Sequence, residues 1–185
     1  MKEEYIYYLI SFLSAIFAVF ITQMFTYSRD TRNLILQKYD QSLSSLDSRA
    51  AMILEYTGAL EAALEDNPND MPKYITKKLF DFGIEYRDKY RDEINFSIIT
   101  SYDFSMKVLV DEYKEKEDQL FFTINEVLRN LAASGKASSE DSIKHREEYI
   151  DIAARVQVAL MYRIKETMKH PFSKYIFGIP KFPKE

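Results

Sequence analysis

From Tyr5 to Phe25 the chain carries no charged side chain, no Pro and no Gly, and Gln23 is the one strongly polar residue. About 21 residues at about 1.5 Å each make a helix of about 31 Å, close to the thickness of a bilayer's hydrocarbon core. Backbone in lipid must satisfy its own hydrogen bonds, and a helix does so. Tyr5, Tyr7 and Tyr8 stand at one end and Phe25 and Tyr27 at the other, where amphipathic rings favour the headgroup zones. The stretch predicts a transmembrane helix. A cleaved signal sequence would need a basic leader and a shorter apolar core, whereas the leader here is Met1-Lys2-Glu3-Glu4. An interfacial helix would need a polar face, which this stretch lacks.

Flanking charge sets an expected orientation. Arg29, Arg32 and Lys38 follow the span and Glu3 and Glu4 precede it. Positive flanks stay cytoplasmic, so the N-terminus is expected outside and the bulk in the cytoplasm, at the cell (inner) membrane. The absence of cysteine agrees with a reducing compartment.

Beyond the anchor, breakers are scarce. The whole chain has four Gly and five Pro, and long periodic runs without breakers predict long helices over a many-turned β fold. Thr31 to Asp66 reads as one helix, with apolar positions Leu36, Tyr39, Leu43, Leu46, Ala50, Ile53, Leu60 and Leu64, and Thr57 as the weak point. Steps of three and four are the spacing of a coiled-coil or bundle seam. Ser45 and Arg49 fall on the face expected to be solvated. A turn is expected from Asn67 to Pro72, and a second helix from Pro72 with Ile75, Leu79, Phe82, Tyr86 and Tyr90 inward. Asn95 to Phe104 reads as a helix junction. The period returns at Met106, Leu109, Tyr113, Leu120, Ile124, Val127 and Leu131, with Lys116 at one seam position in a charged run where the helix is expected to leave the core. Gly135 is the expected stop. Ser138 or Ser139, followed by Glu140 and Asp141, opens the next helix with an oxygen cap and an acidic first turn. Ile143, Ile150, Ala154, Leu160, Met161, Ile164 and Met168 are its expected inward positions, and Pro171 ends it. The fold class is therefore all-α: one N-terminal transmembrane helix (1–27) followed by an antiparallel bundle of three to four long helices (28–170) and an aromatic, basic tail (171–185).

Several groupings bear on chemistry. Asp81-Phe82-Gly83 spells a kinase metal-loop tripeptide, but neither a Gly-rich loop nor a His-Arg-Asp run accompanies it, so Phe82 reads as core. Asp81, Glu85, Asp88 and Asp92 recur at helical spacing, yet Arg87, Lys89 and Arg91 interleave with them as on a solvated face. No Glu stands three residues before His145 or His170, the arrangement a ferritin-like metal site needs. Neither a catalytic set, a cofactor nor a metal is expected, and the net charge of −4 supplies no basic footprint for nucleic acid. Arg163 and His170, six residues apart, resemble the Arg-x(4–6)-His pattern of the HEPN ribonucleases, which are also helical bundles. The resemblance covers that pair alone, with Ile164 at a position usually polar there, and it implies a membrane-tethered ribonuclease as the alternative function.

Two surfaces are expected to bind. Ser11, Ala15, Ala18 and Thr22 put small side chains on one face of the membrane helix, which lets two helices approach closely. Counting back by sevens from Leu36 and Tyr39 places them in phase with the seam, with Arg29 and Arg32 reaching phosphates at the membrane surface. In the tail, Phe172, Lys174, Tyr175 and Lys181 are expected to face lipid, with docking of the tail on the bundle as the competing reading. The expected function is a non-catalytic, membrane-anchored interaction or assembly protein, self-associating or bound to a membrane-protein partner.

Overall fold

The computed structural model describes residues 2–66, 73–90, 103–134, 138 and 140–176, and every regular element among them is helical. Helix α1 spans Lys2–Asp66 without a break, 65 residues and roughly 97 Å at the α-helical rise. Then come α2 (Lys73–Tyr90), α3 (Phe104–Ser134), α4 (Glu140–Lys169) and a 3-10 turn at Phe172–Tyr175. The expected turn at Asn67–Pro72, the stop at Gly135, Lys181 and all but the last two residues of the Asn95–Phe104 segment lie outside the described residues.

Polar pairs fix the directions of the helices. Arg32 bonds the Thr167 carbonyl, Gln157 bonds Asp47, and Arg146 bonds Glu61, so α4 runs antiparallel to α1. Arg155 with Glu112 and Tyr149 with Tyr113 run α4 antiparallel to α3 as well. Tyr39 with Asp103 and Arg49 with Glu117 then set α3 parallel to α1. Between the helices lies one core, built on Tyr39, Leu46, Ile53 and Leu60 of α1, Leu79 and Tyr86 of α2, Val110, Leu120 and Leu128 of α3, and Val156 and Leu160 of α4.

Helix ends follow local chemistry. Ser138 Oγ accepts the Glu140 N–H at 3.2 Å, the expected cap of α4. Asp103 caps α3: its Oδ1 accepts the Met106 N–H at 3.3 Å and the Ser105 hydroxyl at 2.8 Å. Gly83 stands inside α2 at a helix-propensity cost of about 1 kcal/mol against Ala. A Cβ there would lie 3.3 Å from the Tyr56 hydroxyl, and Phe82 stacks on the Tyr56 ring at a centroid distance of 4.9 Å. Phe82 and Gly83 thus serve packing against Tyr56, while Asp81 is exposed.

Four expectations about the helix faces are corrected. Ser45 and Arg49, expected on the solvated face of α1, are buried beside the seam, because α1 is covered from more than one side. Lys116 is not a core residue; it is half-buried and bonds Glu148 at 2.8 Å. Nor does α3 leave the core across its charged run, since Tyr113, Glu117 and Leu120 turn inward there. In α4 the inward face is Ser142, Tyr149, Ile152, Val156, Leu160, Arg163 and Thr167. Ile150, Met161 and Met168, expected inside, are exposed, and Ala154 with them. Polar side chains occupy core positions of α4, and an apolar count selects the wrong face.

Candidate functional site: an exposed apolar helix and a polar knot

The first part of α1 stands clear of the other helices. Every described side chain from Tyr5 to Tyr27 is exposed except the half-buried Met24. An 18-residue window here has a mean hydropathy of 2.0 with none of it buried, long and apolar enough to cross a membrane by length and composition. Tyr5, Tyr8, Phe25 and Tyr27 mark its ends, all at least half exposed. Two hydroxyls within it turn back on their own helix: Ser14 bonds the Ile10 carbonyl and Thr22 the Ala18 carbonyl, each at 2.8 Å. That removes two donors that an apolar medium would leave unsatisfied.

Burial begins abruptly. Ser28 is fully buried, one residue after Tyr27 at 63% exposed. The 3-10 turn and the end of α4 pack against α1 at this level. Arg32 donates from Nε to the Thr167 carbonyl at 3.0 Å and from Nη2 to the Met168 carbonyl at 2.7 Å. These carbonyls belong to the last turn of α4, where partners are lacking and a cation suits the dipole. Arg32, expected to reach phosphates, is instead the C-terminal cap of another helix. Arg29 remains exposed, 3.3 Å from Asp30.

Tyr175, expected to face lipid, is fully buried. Burial raises its phenol above the ordinary range, while the neighbouring Thr167 hydroxyl and the charge of Arg32 pull the other way. Lys174 is exposed, its Nζ 3.2 Å from His170 Nδ1. The Phe172 side chain lies outside the described residues.

Ser11, Ala15, Ala18 and Thr22 are all exposed, and α1 is unbroken. A regular α-helix drifts about 20° per heptad, which puts Thr22 about 40° from Leu36 and Ala18 about 60° from Tyr39. Thr22 lies about 120° around the helix from the bundle-facing Ser28, and Ala18 about 80°. The seam beyond the span is filled from within the chain: Tyr39, Leu46, Ile53 and Leu60 are fully buried against α2–α4. Helix pairing that continues along this seam past residue 35 would compete with these contacts.

The pair Arg163 and His170 is not assembled into an exposed site. Arg163 is buried and donates from Nε to Asp103 Oδ2 at 2.8 Å and from Nη2 to Ser105 Oγ at 2.6 Å. His170 sits beyond the end of α4.

The second polar grouping was not foreseen. Glu117, with a side chain 14% exposed, accepts hydrogen bonds at Oε1 from the Tyr86 hydroxyl and, at 2.9 Å, from the Tyr113 hydroxyl. Its Oε2 lies 3.6 Å from Arg49 Nη1, and the Tyr113 and Tyr149 hydroxyls meet at 2.8 Å. One knot therefore joins all four helices: Arg49 from α1, Tyr86 from α2, Tyr113 and Glu117 from α3, Tyr149 from α4. The inward placement of Tyr86 and Tyr113 was legible from the helical period, but their partner was not. Among the described residues no group of three His, Cys, Asp or Glu side chains is placed to hold a metal ion.

The knot sets a pH response. Burial above all, with the Glu117 charge and, for Tyr113, the neighbouring Tyr149 hydroxyl adding to it, raises the Tyr86 and Tyr113 phenols well above their ordinary range. Burial also raises Tyr149 and pushes Tyr56 up to about 12. The folded state thus keeps protons that an unfolded tyrosine releases near pH 10. Their contribution to stability is fully present below pH 10. Above it stability falls by about 1.4 kcal/mol per pH unit for each such tyrosine. In a titration followed by phenolate absorbance and circular dichroism, these four rings should ionise only as helix is lost. Complete ionisation with the helical signal intact would refute their burial.

No family model, no curated protein and no solved structure matches this chain.

Proposed function

We propose that the chain is a single-pass membrane protein whose helical bundle, on the cytoplasmic side, is a non-catalytic assembly module, self-associating or serving as a subunit of a membrane complex. The observation that carries this reading is the division of α1. One unbroken helix changes at Ser28 from exposed and apolar to buried and bundled. Exposing so many large apolar side chains to water is costly, at about 25 cal/mol per Å² of apolar surface. A bilayer removes that cost. The polar interior of the bundle is spent on joining helices, which favours a scaffold over an enzyme. Val158, Met161 and Met168 leave apolar surface exposed on α4, and the small-residue face of α1 is turned aside from the bundle; both support a partner.

The test is fractionation with a reporter fused after Glu185. The full chain should resist alkaline carbonate extraction and give a cytoplasmic reporter signal, while a chain starting at Ser28 should be extracted. A periplasmic or lumenal signal would overturn the orientation. The ribonuclease alternative is weakened by the burial of Arg163 against Asp103. His170→Ala, which leaves the core untouched, should preserve the biological effect; its loss in a folded variant would favour catalysis.

A further inference from the structure

The membrane reading proposed above, on which this inference rests, leaves no linker between the anchor and the bundle. Tyr27 to Arg32 is about 7.5 Å along the helix axis, and the headgroup layer on each side of the hydrocarbon core is about 5–8 Å deep. Arg32 is tied to the last carbonyls of α4, and Tyr175 and Ser28 are fully buried where the 3-10 turn meets α1. The height of this end of the bundle above the apolar span is therefore fixed by the rigid helix, and it coincides with the headgroup layer.

The charge at this end differs from that of the chain as a whole. Within residues 28–35 and 164–176 the cationic side chains are Arg29, Arg32, Lys165, Lys169 and Lys174, on a chain of net charge −4. Two carboxylates, Asp30 and Glu166, offset them in part through pairs at 3.3 Å with Arg29 and 2.7 Å with Lys169. Arg32 is engaged with carbonyls, which carry no charge to neutralise it. Lys165, Lys169 and Lys174 are exposed. Long lysine stems let such ammonium groups reach the phosphate plane from the flank of a helix.

We propose that this end of the bundle is a docking collar for anionic phospholipid headgroups, in which Lys165, Lys169, Lys174 and Arg29 contact phosphates and hold the bundle against the leaflet. The attraction of a basic side chain to an anionic surface decays within a Debye length, about 8 Å at physiological salt. Lys144 lies about 38 Å up α4 from Lys169, beyond its range. Lys77 and Lys78, in the first turns of α2, also belong to the remote end.

The full chain would be placed in nanodiscs of phosphatidylcholine alone or with added phosphatidylglycerol, and each lysine's rate of modification by an uncharged amine-reactive ester read by mass spectrometry. Modification of Lys165, Lys169 and Lys174 should slow about fivefold in the anionic discs, the factor matching the attraction of one basic side chain to such a surface. Raised salt should remove the difference, and Lys77, Lys78 and Lys144 should react alike in both. A chain that inserts but shows equal rates at the three collar lysines, or equal slowing at all lysines, overturns the collar and leaves the anchor standing. A chain that does not remain with the discs overturns the membrane reading and the collar with it.

Discussion

Asp103→Ala should destabilise the bundle by about 3–5 kcal/mol, the cost of stranding one partner of a buried ion pair. Asp103 and Arg163 have side chains 5% and 4% exposed, and their bond is 2.8 Å. The same carboxylate caps α3 and lies 3.4 Å from the Tyr39 hydroxyl of α1. Its removal thus loosens three helices at one point and leaves the Arg163 charge without its carboxylate. The loss is a large share of the 5–15 kcal/mol that holds a typical domain. Asp103→Asn separates the contributions. An Asn still caps a helix about as well as Asp, so most of the loss should persist if the ion pair dominates and vanish if the cap does. Pairing Asp103→Asn with Arg163→Met should recover much of it, because replacing both charges removes the desolvation cost. Denaturant unfolding of the chain in detergent measures all three. A cost below about 1 kcal/mol for Asp103→Ala, the range of an exposed pair, would contradict the burial.

Glu117→Ala should cost a similar amount by a different route. It removes an acceptor shared by two buried phenols and a carboxylate 3.6 Å from Arg49, itself 5% exposed. An unsatisfied buried donor costs about 1–3 kcal/mol and a stranded buried charge more. The loss should be sensed on every helix, since the knot draws a side chain from each. Tyr86→Phe should cost about 1 kcal/mol by losing its bond to Glu117, and Tyr113→Phe somewhat more, because its hydroxyl bonds both Glu117 and Tyr149, while each ring stays packed. Their sum should fall well short of Glu117→Ala. Near-additivity of the two phenylalanine variants with the alanine loss would mean that the Arg49 charge does not depend on Glu117.

How much of this was legible in the sequence depended on whether a residue's partner is near in the chain. The long first helix, the inward stripe Met106–Leu131 and the cap at Ser138 rest on periodicity and on short-range capping, both local. The all-α class followed from them. The inward face of α4 was misread because Ser142, Arg163 and Thr167 are core residues, and a count of apolar positions passes over them for Ile150, Met161 and Met168. For the same reason Arg49 was read as solvated, and Glu117 falls in the charged run where α3 was expected to leave the core. A charge is buried only where its partner waits on another helix, and the separation of 68 positions between these two leaves no trace in either's neighbourhood. Arg32 is the sharpest instance. A basic residue after an apolar span reads as a phosphate contact, but the carbonyls of α4, more than 130 positions away, hold it.

The chain has no cysteine, so single cysteines report position without background. Leu13→Cys and Phe17→Cys lie within the exposed apolar part of α1, and Asn33→Cys and Lys107→Cys lie on exposed positions of the bundle. With a membrane-impermeant maleimide added to inverted membrane vesicles, positions 33 and 107 should label and positions 13 and 17 should stay unlabelled until detergent dissolves the bilayer. Equal labelling of all four in intact vesicles would contradict the span, and with it the account of α1 as one helix shared between lipid and bundle.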